Sequence, residues 1–161
     1  MIKRPPVGLF SWSGKMIIQK LDALFFQENT DLIEVLDKKE QVWTGGKDRG
    51  YGILLISHNS LRFGIPLRSN INHKYCFLTS DTKGLDYTKS VLLMKDEYIS
   101  SIPFRIPSDE YVKIKDRTHH INRQFSKYVE KYISGVQKND QNVLRPYRFS
   151  TLQNYHSELG I

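Results

Sequence analysis

Arg49 and Ser69 flank two apolar, strand-like runs, Tyr51–Ser57 and Leu61–Leu67, joined by the turn residues His58, Asn59 and Ser60. A hairpin built on these runs brings its two open ends together. The permanent cation of Arg49 and the hydroxyl of Ser69 then become neighbours although twenty positions separate them. Lys47, Arg62, Arg68, His73 and Lys74 lie in the same stretch, opposed by Asp48 alone. Such a cluster suits a phosphodiester. RNA supplies its own nucleophile, the 2′-hydroxyl, so a protein that cleaves it must orient that oxygen, stabilise the phosphorane and move protons. A guanidinium stays charged and forks onto phosphate oxygens. The Ser69 hydroxyl can bond a phosphate oxygen or the 2′-OH but accepts a proton poorly. His73 is a candidate acceptor, and so is Lys74 in its neutral form. On spacing alone, the same residues also describe an idle, solvated strand end.

Other chemistries lack their signatures. The sequence has no Cys/His metal spacing, no Gly-rich phosphate loop, no G-x-S-x-G and no HExxH. Of five histidines only His119 and His120 are adjacent, and neighbours on a helix do not share a face. No metal and no cofactor is expected. Asp109-Glu110 reads as helix-dipole complementation. The net charge of +7 lies wholly in residues 45–161, which hold 18 basic and 11 acidic side chains. That asymmetry favours a polyanionic partner such as nucleic acid. Cys76 stands alone, so no internal disulfide can form. No apolar run approaches the roughly 20 residues of a membrane helix, and no signal-peptide pattern follows Met1. The expected location is the cytoplasm.

The elements that must position these groups can be read coarsely. The apolar spacing of Lys15–Phe26 predicts a helix, and Asp31 with Glu34 resembles a capping box opening a second one through Leu36. Thr44–Asp48 is a polar break. The hairpin follows, with Pro66 marking a strand end or edge where the chain leaves the sheet. Tyr75–Thr79, Tyr87–Met94 and Ile102–Ile106 are further strands, with a polar loop over Ser80–Asp86. From Ser108 the period is helical, clearest at Ile121, Phe125, Tyr128/Val129 and Tyr132/Ile133, with Gly135 as a stop. A last helix is expected from Ser150. This predicts one α+β domain over residues 1–161, a small antiparallel twisted sheet or partial barrel wrapped by helices.

Three blocks carry a resemblance: Arg49-Gly50-Tyr51-Gly52-Ile53-Leu54, Phe63–Lys74 (FGIPLRSNINHK) and Gly84–Val91 (GLDYTKSV). In that order they resemble the central region of type III toxin–antitoxin toxins, nearest the TenpN branch of the ToxN/AbiQ/CptN superfamily. The resemblance covers about residues 49–94. It implies a PemK/MazF-like fold and metal-independent, sequence-preferring endoribonuclease activity that leaves 2′,3′-cyclic phosphate and 5′-hydroxyl ends. It also implies a partner, a small repeated pseudoknot RNA antitoxin that the toxin processes and that inhibits it in a closed RNA–protein assembly. Cellular or phage RNA would be the substrate, and growth arrest or abortive phage defence the outcome.

Carried over residue by residue, Arg49 stands where the family has a Lys, and Arg68-Ser69 where it has Thr-Ser. Ile71 replaces a family Lys, for which Lys74 is the substitute. The resemblance gives Asp86 an organising role, holding Lys89 or another basic site residue. Lys47, Tyr51, Arg62 and Asn70 would contact RNA at the hairpin. Arg117, Arg123, Lys127 and Lys131, with Arg145 and Arg148 beyond, fit phosphate contacts along the antitoxin, and Tyr147 and Phe149 could stack on bases. The rival reading is a non-catalytic RNA- or DNA-binding regulator using the same basic surface.

Overall fold

The computed structural model describes residues 18–36, 38–39, 42–43 and 52–161. Its centre is the hairpin of β4 (Gly52–His58) and β5 (Leu61–Arg68). Asn59 and Ser60 make the turn, both at positive φ (48° and 68°), the backbone that a two-residue hairpin with right-handed twist demands. Residues 53–58 pair in unbroken register with 61–66. Every residue of β4 except Ser57 is buried, because both faces of the strand are covered. Leu54 and Ile56 enter one core with Phe63, Ile65, Phe125 and Leu152, while Ile53 and Leu55 enter another with Leu21, Phe25 and Tyr98. Double burial is why this strand reads as a continuous apolar run instead of an alternation.

On one side of the hairpin lie β1 (Gln19–Leu21) and β9 (Ile99–Pro103). On the other lie β7 (Lys83–Asp86) and β6 (Cys76–Ser80), and β8 (Val91–Leu92) pairs with β5 separately. All pairings in this seven-stranded sheet are antiparallel. Strands β2 (Lys38–Lys39) and β3 (Val42–Trp43) form a separate ladder. Five helices accompany the sheets among the described residues: α1 (Ala23–Glu28), α2 (Ser108–Asp116), α3 (Thr118–Gln137), α4 (Gln141–Leu144) and α5 (His156–Leu159). The protein is α+β. None of these helices is long and apolar enough to cross a membrane.

Several expectations are corrected. Gln19–Leu21 is a strand, not helix, since it completes the flank of β4, and the helix begins only where Asp22 accepts a hydrogen bond from the Leu24 N–H (2.9 Å). Asp31 and Glu34 open no helix. The Asn154 side chain instead takes both backbone groups of Ile33, accepting from its N–H at 2.9 Å and donating to its carbonyl at 2.8 Å, and Glu34 adopts φ 62°. Pro66 does not end its strand. The closing pair His58–Leu61 is hydrogen-bonded, so alternation turns the Pro66 nitrogen away from β4, towards a gap between β8 and β7. The polar stretch Ser80–Asp86 contains β7, and Tyr87–Lys89 is a 3-10 turn, leaving only Val91–Leu92 of the expected fourth strand. Gly135 lies within α3, where Val143 and Leu144 pack so closely that a Cβ would meet Val143 at 2.8 Å. The last segment is a 3-10 turn, Thr151–Asn154, before α5. The polar break Thr44–Asp48 lies outside the described residues.

Candidate functional site

Strand β5 ends beside β7 with Arg68 opposite Gly84. Residues 84 and 86 share a face, so Asp86 stands diagonally across from Arg68. Gly84 places no side chain between them, and it has no room for one: a Cβ there would lie 2.1 Å from the Phe77 carbonyl oxygen. Arg68 Nη1 thus reaches Asp86 Oδ2 at 2.7 Å. Asp86 is fully buried, and a carboxylate withdrawn from water must recover its hydration from partners. Its second oxygen, Oδ1, accepts from the Thr88 backbone N–H at 3.0 Å and the Thr88 hydroxyl at 2.6 Å, capping the 3-10 turn Tyr87–Lys89.

The chain beyond Arg68 reverses through Asn70 at φ 58°, and the Ile71 N–H bonds the Thr82 carbonyl at 2.8 Å. Ser69 and Asn70 are exposed on this loop, which returns His73 to Asp86. The His73 Nε2 lies 3.2 Å from Asp86 Oδ1, off the line of a hydrogen bond and otherwise buried without a partner. Nδ1 accepts from the Tyr75 N–H at 3.1 Å, which leaves the proton of the neutral ring on Nε2, facing the carboxylate. Both ring nitrogens therefore face protein. His73, a candidate proton acceptor in the sequence, stands with its ring against the Asp86 carboxylate. Lys74 is exposed, its Nζ 5.6 Å above the Tyr75 ring.

Lys89 closes the turn that Asp86 opens. Its direct partners are not Asp86: Nζ donates to the Phe149 carbonyl at 2.9 Å and stands 3.6 Å from the Glu34 carboxylate. Burial holds the Lys89 amine below the ordinary lysine value; Glu34 and Asp86 pull it upward and Arg68 pushes it down. With that lowered value the amine gives up its proton more readily than a solvated lysine does. The Asn154 clamp on Ile33 holds the backbone next to Glu34. The sequence offered no signal for that contact, since the pair lies 121 residues apart.

No family model, curated protein or solved structure matches the chain. The site therefore rests on its own geometry. Arg68, Asp86, His73 and Lys89 come together, with Ser69 adjoining. Arg62 does not join them: it lies six residues back along β5, roughly 20 Å at strand rise, and pairs with Asp96 at 2.7 Å. Lys47, Arg49 and Tyr51 lie outside the described residues. Arg123, Lys127 and Lys131 are exposed at four-residue intervals on α3, and Arg117 is exposed where α2 meets α3. Arg145 and Arg148 are also exposed. Tyr147 cannot stack on a base, because it is buried and its hydroxyl donates to the Tyr128 carbonyl at 2.7 Å. Phe149 is 58% exposed, with the Arg148 guanidinium 5.1 Å from its ring centroid. Among the described residues no group of three or more His, Cys, Asp or Glu side chains could hold a metal ion.

Proposed function

We propose that the chain is an RNA-cleaving toxin of the type III toxin–antitoxin kind, with a PemK/MazF-like arrangement of its sheet and helices. The observation that carries this reading is the convergence on Asp86. Arg68 and His73 come from one of the blocks that resemble such toxins, and Asp86, Thr88 and Lys89 from the next. The first block enters the sheet at the same end, since Ile53 of β4 pairs with Pro66, and Arg49 precedes β4 by three residues in sequence.

In this mechanism the 2′-hydroxyl gives up its proton as its oxygen bonds to the adjacent phosphorus, the bond from phosphorus to the 5′-oxygen breaks, and that oxygen leaves with a proton, giving a 2′,3′-cyclic phosphate and a 5′-hydroxyl. Arg68, oriented by Asp86, stabilises charge on the phosphorane, and Arg49 supplies a second cation. Ser69 hydrogen-bonds the 2′-oxygen or a phosphate oxygen. His73 and Lys74 are the candidates for taking the 2′-hydroxyl proton, joined by Lys89, whose amine burial holds below the ordinary lysine value. Exposed cations along α3 hold the repeated pseudoknot RNA antitoxin in register. Substrates are cellular or phage RNAs of the cytoplasm, and the outcome is growth arrest or abortive defence.

Incubating the purified protein with RNA in EDTA and mapping the ends tests the reading. Cyclic-phosphate ends should appear, and vanish in Arg49→Ala and Ser69→Ala with folding intact. His73→Gln, Lys74→Met and Lys89→Met, compared for cleavage rate with folding intact, identify which side chain takes the proton. Binding of RNA, or of DNA, without cleavage of any RNA, including repeats encoded upstream, would instead mark a regulator.

A further inference from the structure

Phe149 is a large aromatic side chain held outward by anchored neighbours. Tyr147 before it and Ser150 after it are buried. Both are tied to α3: the Tyr147 hydroxyl donates to the Tyr128 carbonyl, and the Tyr128 hydroxyl donates to Ser150 Oγ at 2.8 Å. Gln153 Nε2 donates to the carbonyls of Tyr147 (3.3 Å), Arg148 (2.8 Å) and Ser150 (3.0 Å), fixing the backbone on both sides of Phe149. The Phe149 carbonyl receives Lys89 Nζ, and the Thr151 hydroxyl donates to the Thr88 carbonyl at 3.3 Å and to the Ser90 carbonyl. The segment is thereby fastened to the turn that begins at Asp86. A ring more than half exposed, on a backbone held by these hydrogen bonds, has part of the entropy of ordering met before any ligand arrives.

We infer that Phe149 and Arg148 form a stacking platform for one unpaired base of the substrate RNA, set at a fixed offset from the Arg68–Asp86 centre. The Arg148 guanidinium lies over one face of the ring; the opposite face takes any base, and the guanidinium adds a cation for the adjoining phosphate. A protein partner would call for a broader apolar patch than one ring with the Arg148 guanidinium over it. Because the platform is fastened to the turn that Asp86 caps, it fixes which phosphate of a bound strand meets Arg68. It is thus a specificity element, and it rests on the RNA-cleaving reading only for the identity of the strand that is cut.

The experiment separates the two. Binding is measured with six-nucleotide 2′-O-methyl RNA, which lacks a free 2′-hydroxyl and cannot be cut, and cleavage is mapped in parallel on a long RNA. Phe149→Ala and Phe149→Leu should each weaken oligonucleotide binding roughly tenfold, and Phe149→Trp should preserve it, because the π-face and not apolar bulk is what stacks. The added Trp fluorescence should be quenched on binding, measured against the background of Trp12 and Trp43. On the long RNA, Phe149→Ala should spread cleavage over more positions. Wild-type protein that fails to bind the oligonucleotide, Leu binding as well as Phe, or equal losses on duplex RNA would each overturn the platform. Normal stacking without any cleavage would sink the ribonuclease reading and leave the platform standing.

Discussion

The Arg68 guanidinium and the Asp86 carboxylate meet at 2.7 Å across two strands in which neither faces the other directly. The residue opposite Arg68 is Gly84, and its missing side chain lets the arginine lean along the ladder to a buried acid. Four groups therefore depend on one carboxylate: the guanidinium, the His73 ring, and the hydroxyl and N–H of Thr88.

Breaking this pair from one side should be costly. Arg68→Ala leaves a buried carboxylate without its cation and should cost about 3 kcal/mol in urea unfolding. Asp86→Ala should cost a similar amount. The double variant should lose less than the sum, with a coupling of about 2 kcal/mol. Simple additivity would mean that the contact contributes nothing of its own.

Alkaline pH should unfold the protein through its tyrosines. Burial pushes Tyr87, Tyr128, Tyr147 and Tyr155 well above their ordinary value of 10.0. Above pH 10 the folded chain keeps protons that the unfolded chain releases, so the stability these groups contribute is intact below pH 10 and lost as pH rises beyond it. Each fully buried tyrosine should steepen the decline by up to about 1.4 kcal/mol per pH unit. Tyrosinate absorbance should therefore rise together with the loss of circular dichroism. Complete titration in a folded chain would contradict the burial. Lys89 acts in the opposite sense: its lowered value penalises the folded state at neutral pH, and that penalty fades as pH rises towards 10.5.

The hairpin turn can be improved. Ser60 holds φ 68°, which costs a side-chain-bearing residue about 1 kcal/mol. Ser60→Gly makes the Asn-Gly pair that this turn favours and should raise the midpoint of thermal unfolding by several degrees. A lower midpoint would mean that the Ser60 side chain makes a compensating contact.

Lys127 should act on affinity alone. On the RNA-binding reading proposed above, Lys127→Ala should weaken RNA binding evenly across sequences and reduce the slope of log affinity against log salt by about 1. An unchanged slope would remove this face of α3 from the interface.

How much of this was legible beforehand depends on the range of the interaction. The hairpin announced itself through two apolar runs and an Asn-Ser turn, and α3 through the spacing of Ile121, Phe125 and Val129, because each pattern is local. Strand β7 was hidden in a polar stretch: Lys83 is exposed and Gly84 has no side chain, so only Leu85 carried an apolar signal. Gln19–Leu21 read as helix since its pairing with β4 lies more than thirty positions away. At the site, Arg68 and His73 were visible as cations near a strand end. That both would turn inward onto Asp86, and that Glu34 would reach Lys89, followed from contacts no spacing rule encodes.

Glu34 sits in a left-handed backbone that an acidic side chain adopts at a cost, and the Asn154 amide holds the chain beside it. The clamp spans 121 residues, and the tie between Lys89 and Phe149 spans 60. During synthesis, Glu34, Arg68, Asp86 and Lys89 all emerge before either fastening residue exists. A nascent chain can complete its central hairpin, yet it lacks the contacts that seat Glu34 and Lys89 until translation has passed residue 154. Seating of Glu34 and Lys89 thereby coincides with near-completion of the described fold, a built-in delay between making these side chains and bringing them together.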